Sequence, residues 1–216
     1  MKPTLDPNEM LETMAAKAVE HGDTLRQSVR DITLKALSSR EATVEQLNKV
    51  VETVTSGISQ GAMAAKVEPA RVLKDALSGM DEAVMKVVEA NQIALKKLTD
   101  HGSDFETSQL KKRLAEIKSM EAQFVASVQK AAESTAAPLK AAWGPVIEQL
   151  KTAGSQTGAE AQKVAETFAK NLQDQLQSSR ETAFKAAHTL TQNYATVVSG
   201  ILMGLSEAYK EKGAKK

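Results

Sequence analysis

The sequence predicts an all-α protein: an elongated, antiparallel, coiled-coil-like helical bundle of about four main helices, the last of them long. Three observations predict it. The apolar residues are chiefly Ala, Leu, Val and Met, with 33 alanines among 216 residues, and these suit helix faces better than strands. Only one Trp, two Tyr and four Phe are present, whereas a broad core normally draws much of its volume from large rings. The apolar positions also recur every three or four residues along most of the chain, which is the period of one helix face.

Pro7 with Asn8 and Glu9 opens the first helix, because proline is tolerated in a first turn. Leu11, Ala15, Ala18, Leu25, Val29, Ile32, Ala36, Val44, Leu47, Val51, Val54 and Ile58 then keep the helical spacing and predict one segment over 8–57. Gly22 and Arg40 fall on that stripe, so kinks belong there. Asp23 can cap a new helix after Gly22, and Ser38 with Glu41 has capping-box spacing. Residues 55–69 form the first expected connection. Gly57 and Gly61 weaken the helix there, and Pro69 biases its predecessor away from helical geometry.

The second helix is expected over 70–100 on Leu73, Leu77, Met80, Val84, Val88, Leu95 and Leu98, with Asn91 in register among them. A buried Asn of this kind can fix register or oligomeric state; at the edge of a core it has no such role. The turn at His101-Gly102-Ser103 is the clearest in the chain, since Gly102 suits a helix C-terminus and Ser103 with Glu106 completes a capping box. A third helix over 104–137 follows on Leu110, Leu114, Ile117, Phe124, Val128 and Ala131, nearly a seven-residue repeat with Glu121 as its polar exception. Pro138 and Trp143-Gly144-Pro145 then predict a turn or sharp kink.

The fourth helix, 145–210, is the most regular, although Gly154 and Gly158 loosen its beginning. From Ala161 through Val164, Phe168, Leu172 and Leu176 to Leu205 and Tyr209, apolar or small residues are three or four apart, close to an eleven-residue repeat. Such a stripe runs nearly straight. The whole chain, 1–216, reads as a single elongated helical domain.

A net charge of +1, from 28 basic and 27 acidic residues, argues against nucleic acid as a partner, which would call for a basic excess. The absence of cysteine removes disulfides, thiolate metal sites and cysteine nucleophiles. No run reaches 18 apolar residues, so no transmembrane segment is expected. The start MKPTLDPNEM lacks the apolar core of a signal peptide. The expected location is therefore cytoplasmic, with association to inclusions or a membrane surface left open.

Signs of chemistry are sparse. His21, His101 and His188 lie about 80 positions apart and lack the Glu-x-x-His pairing of di-iron bundles. There is no HExxH motif and no phosphate-cradling glycine-lysine loop. The expectation is a protein that is not an enzyme, with no catalytic, cofactor-binding or metal residues and no cofactor. The basic clusters Lys111-Lys112-Arg113 and Lys210–Lys216 read as a solvated helix face and a terminus.

One stretch differs. Residues 186–206 contain no Asp, Glu, Lys or Arg, and 195–205 are apolar nearly all round a helix, with Gly200 and Gly204 in GxxxG spacing. Such a helix must be covered on most sides, either by the bundle or a second copy, or by a foreign surface. Val197, Val198, Ile201, Leu202 and Leu205 are the candidate contact residues.

The segment AEAQKVAETFAKNLQDQLQSSRETAF, Ala159 to Phe184, with the near eleven-residue spacing and lack of cysteine, resembles phasins, the helical proteins that coat bacterial polyhydroxyalkanoate granules. The likeness covers mainly residues 159–210 and rests on texture rather than a diagnostic motif. It implies a non-enzymatic amphipathic protein that adsorbs to a polymer or lipid inclusion. The alternative is a helical oligomerisation, scaffold or adaptor protein, whose partner is another copy of itself or a different protein.

Overall fold

A computed structural model of the protein describes residues 6–39, 43–65, 68–100 and 107–178. These form α1 (Pro7–Ala18), a 3₁₀ segment (Val19–Thr24), α2 (Leu25–Ser38), α3 (Val44–Ala64), α4 (Pro69–Asp100), α5 (Thr107–Glu133), α6 (Ala137–Ala153) and α7 (Gln156–Ser178). Among the described residues there is no strand. The fold is an all-α bundle.

The first expected segment, 8–57, is three helices instead of one. Its first break falls at Gly22, whose φ of 28° and ψ of −93° are open to glycine and strained for residues bearing a Cβ. The second break lies between Ser39 and Thr43. There Thr43 Oγ1, rather than Ser38, accepts from Gln46 N at 3.2 Å and caps α3. Ser38 Oγ instead donates back to the Lys35 carbonyl at 2.9 Å.

α3 then continues past position 57 to Ala64, so the expected connection over 55–69 shrinks to its final residues. Gly57 and Gly61, expected to weaken the helix, are interior and buried. A Cβ on Gly57 would collide with the Glu12 carbonyl oxygen, and one on Gly61 with that of Ala16. The missing side chains let α1 and α3 approach backbone to backbone, and this packing outweighs a propensity loss of about 1 kcal/mol per glycine. Gly79 does the same for α4 against the Arg26 carbonyl of α2.

These contacts give the register. Positions 12 and 16 meet 57 and 61, so α1 and α3 advance in step. Asn48 and Glu52 of α3 bond Gln123 and Lys130 of α5, which likewise advance together. α1, α3 and α5 thus share a direction, as alternate helices joined by short connections do.

The second expected helix matches α4, Pro69–Asp100. Leu73, Leu77, Met80, Val84, Val88 and Leu95 are all buried. The turn at 101–106 lies outside the described residues. In α5, Leu114, Ile117, Phe124, Val128 and Ala131 are buried as expected, but the helix stops at Glu133, short of 137.

The expected break at Trp143-Gly144-Pro145 is not one: all three lie within α6. The chain turns earlier, at 134–136, where Pro138 sits in the first turn of α6 and its missing N–H costs nothing. An interior proline costs a helix about 3 kcal/mol. Leu139, Trp143, Val146 and Ile147 of the same helix are buried, at about 1.5–3 kcal/mol for each large apolar side chain. Packing wins. The fourth expected helix, 145–210, therefore starts inside α6 and is interrupted at Gly154-Ser155 before α7.

One hydrophobic core runs through the bundle, with Trp143, Phe124, Leu25, Ile58, Leu73 and Met80 its largest fully enclosed side chains.

Candidate functional site

The contact residues expected from the sequence, Val197, Val198, Ile201, Leu202 and Leu205, lie outside the described residues. Of the histidines, His21 is described: it is exposed, at the kink before α2. Asn91 is half-buried and donates through Nδ2 to the Val87 carbonyl at 2.8 Å. Its amide is thus engaged within α4 itself.

An open cleft of about 530 Å³ lies where α1, α3 and the α5–α6 turn meet. Several of its polar groups are engaged with one another. Glu12 accepts from Ser56 Oγ and, at 2.7 Å, from Gln60 Nε2. Lys130 Nζ bridges both Glu52 carboxylate oxygens at 2.9 and 3.1 Å. These pairs tie helices together, and no histidine lies among the lining residues to activate a hydroxyl. Among the described residues no cluster of His, Asp or Glu is arranged to hold a metal ion.

The most organised polar constellation is at the α6–α7 corner. Gly154 ends α6 with φ 78° and ψ 167°, freeing the chain to start a new helix. That helix would expose four unbonded N–H groups at its start, and each finds a partner. Ser155 N donates to Glu121 Oε1 at 3.1 Å, and Ser155 Oγ to the same oxygen at 2.7 Å. Gln156 N and Thr157 N donate to Asp81 Oδ2 and Oδ1 at 2.7 and 3.0 Å. Gly158 N donates to Ser155 Oγ at 2.8 Å, and Thr157 Oγ1 to the Asp81 carbonyl at 3.1 Å.

Two carboxylates from α4 and α5 thus cap α7 across the bundle, with their charge placed at the positive end of its dipole. Asp81 is only 4% exposed. Glu121, the polar exception in the third stripe, takes its meaning here. Sequence reasoning misses Asp81, Ser155 and Thr157. Its only signal is a Gly-Ser pair, a helix stop followed directly by an N-cap residue.

Beyond this corner, α7 packs mainly on α4 and α5 through Ala161, Val164, Ala165 and Phe168, all buried. Large apolar side chains exposed among the described residues are Met10, Met14, Met63 and Ile93. No described helix is long and apolar enough to cross a membrane.

The described residues define an all-α helical-bundle protein. Over residues 1–211 the chain matches the family described as "Family of unknown function (DUF6781)", and it belongs to that family. No curated protein and no solved structure matches it.

Proposed function

We infer that this is a non-enzymatic amphipathic helical protein that adsorbs to a hydrophobic surface, a polymer or lipid inclusion, in the manner the phasin resemblance implies. The observation that carries the reading is the way α7 is held. Its described apolar stripe is narrow, with Phe168 its only large ring. By spacing, the same stripe continues through Leu172, Leu176 and on to Leu205. A face built of Ala, Val and single large residues exchanges one apolar neighbour for another at low net cost, because burial scales with area at about 25 cal/mol per Å² whichever surface provides it.

The scaffold reading rests on the near-heptad stripes of the second and third helices. The described residues of those stripes are covered within the chain by its own helices, so on this reading a second copy would pack on 195–205.

Flotation with phosphatidylcholine vesicles or polyhydroxyalkanoate particles, alongside sedimentation of the free protein, tests the reading. The expected result is co-flotation that Ile201→Asp or Leu205→Asp abolishes. A protein that never floats and sediments as a stable oligomer, dissociated by the same substitutions, overturns surface adsorption and supports the scaffold.

A further inference from the structure

We propose that α7 is a latched flap. It pivots at Gly154, is held shut by Asp81 and Glu121, and on leaving uncovers an apolar seam between α4 and α5 while α6 stays in place. The purpose of the motion rests on the surface-adsorbing reading above; the motion itself does not.

Three independent observations converge. The first is unequal anchoring on the two sides of Gly154. α6 buries Leu139, Trp143, Val146 and Ile147, and the Trp143 indole N–H is bonded to Ser59 of α3 at 3.0 Å. α7 offers two alanines, a valine and one phenylalanine over its described face. Local opening is harder where larger apolar side chains are buried, and among the described side chains α6 buries the larger ones and ties one of them to α3 by a hydrogen bond.

The second is the pivot. Gly154 is the residue between α6 and the N-cap Ser155, and its φ of 78° with ψ of 167° is glycine territory, with no other atoms within 4 Å of where a Cβ would sit. A large change in backbone angles can be absorbed there without disturbing either helix.

The third is the chemistry of the latch. The first-turn N–H groups of α7 are already satisfied by protein acceptors, so the corner is a fastening and not a vacant anion site. Its acceptors are carboxylates, the groups that recover hydration best once released. A shallow cleft of about 210 Å³ lined by Lys74, Ser78, Asp81, Gln149 and Gln156 brings solvent to its edge. Behind the latch, Val84 and Val88 lie one and two turns from Asp81 on the same face of α4. Leu114 and Ile117 hold the same relation to Glu121 on α5. All four are buried and apolar, as an adsorbing surface requires.

Hydrogen exchange read by mass spectrometry on the full chain tests this, with Trp143 emission monitored in parallel. In the wild type, amides of 157–168 are expected to exchange about tenfold faster than those of 139–152, as separate cooperative units do. Asp81→Asn should accelerate 157–168 by about fivefold or more, the scale of a lost helix cap, with α6 exchange and Trp143 emission unmoved. If Asp81→Asn fails to fold, Ser155→Ala removes the two bonds made through Ser155 Oγ, to Glu121 and from Gly158 N, while the Ser155 N–H bond to Glu121 stays; it touches no charge and is read the same way. Equal exchange in α6 and α7, rising together in either variant, overturns the flap. With phosphatidylcholine vesicles added, loss of protection in 157–168 alone is the expected result. Vesicle binding that strips α6 and α7 together overturns the flap but leaves surface adsorption standing. A flap that opens in solution, in a protein that ignores vesicles, overturns adsorption and leaves the flap standing.

Discussion

The Trp143 indole N–H donates to Ser59 Oγ at 3.0 Å across 84 positions of sequence, and Ser59 Oγ in turn donates to the Thr55 carbonyl at 2.8 Å. The only tryptophan of the chain is fully buried, and this relay gives its one polar atom a partner. Ser59→Ala is therefore expected to cost more than an average hydrogen bond, because it orphans a buried N–H: about 1–3 kcal/mol. Trp143→Phe removes that N–H, so the double variant Ser59→Ala/Trp143→Phe should cost less than the sum of the singles. Urea unfolding followed by circular dichroism measures all three. Strict additivity would show that the bond contributes nothing.

The glycines separate packing from propensity. Gly57→Ala and Gly61→Ala each place a Cβ against a rigid backbone carbonyl of α1, and overpacking of this kind costs about 1–3 kcal/mol. Alanine's better helix propensity returns about 1 kcal/mol at most, so both variants are expected to be destabilised. Gly144→Ala, also interior to a helix and exposed, meets no atom beyond its chain neighbours, but Pro145 crowds a Cβ on its predecessor, so the gain is expected to be small, well under about 1 kcal/mol. Thermal unfolding of the three decides the point, since propensity alone would give them one sign.

Asn91 offers a test of oligomeric specification. Its Nδ2 is bonded to the Val87 carbonyl one turn back, an acceptor the helix ladder already serves. Asn91→Leu is therefore expected to leave the sedimentation coefficient unchanged and to stabilise slightly, by about 0.5 kcal/mol from the added apolar burial. A change of oligomeric state would show that the amide fixes register between chains.

What the sequence made legible was whatever repeats locally. The helical period placed Leu73, Val84, Phe124, Val128 and Val164 in the core, and Pro69 marked the start of α4 because a proline acts on its own neighbours. Three of the misreadings share one physical cause. Gly57, Gly61 and Pro145 lower local helix propensity, yet their effect was decided by partners far along the chain: the Glu12 and Ala16 carbonyls, and the buried setting of Trp143. The α7 cap was invisible for the same reason. Asp81 lies 76 positions from Thr157, and no spacing rule connects a carboxylate to a helix start that distant.

Asp81 and Glu82 are adjacent carboxylates on α4 with opposite surroundings, and they give the sharpest contrast. Glu82 is partly buried, its side chain 18% exposed, and it faces Arg26 and Arg30, whose side chains are 51% and 18% exposed, with Arg26 open to solvent. Exposed pairs contribute about 0–1 kcal/mol and are screened by salt. Asp81 is nearly enclosed and accepts two backbone N–H groups. In Asp81→Asn one oxygen still accepts, but the new NH₂ faces the other backbone N–H, so a bond is replaced by opposed donors. The expected loss is about 1.5–3 kcal/mol, the range for hydrogen bonds to charged groups. It should persist at about 1 M salt, where the screening length falls to roughly 3 Å. Glu82→Gln should cost less than about 1 kcal/mol at low salt, and that cost should fade as salt is added. Guanidinium would screen both effects, so urea titrations at two sodium chloride concentrations are the measurement. Equal losses, or an Asp81 effect that salt erases, would mean that the α7 cap is a surface ion contact rather than a buried fastening.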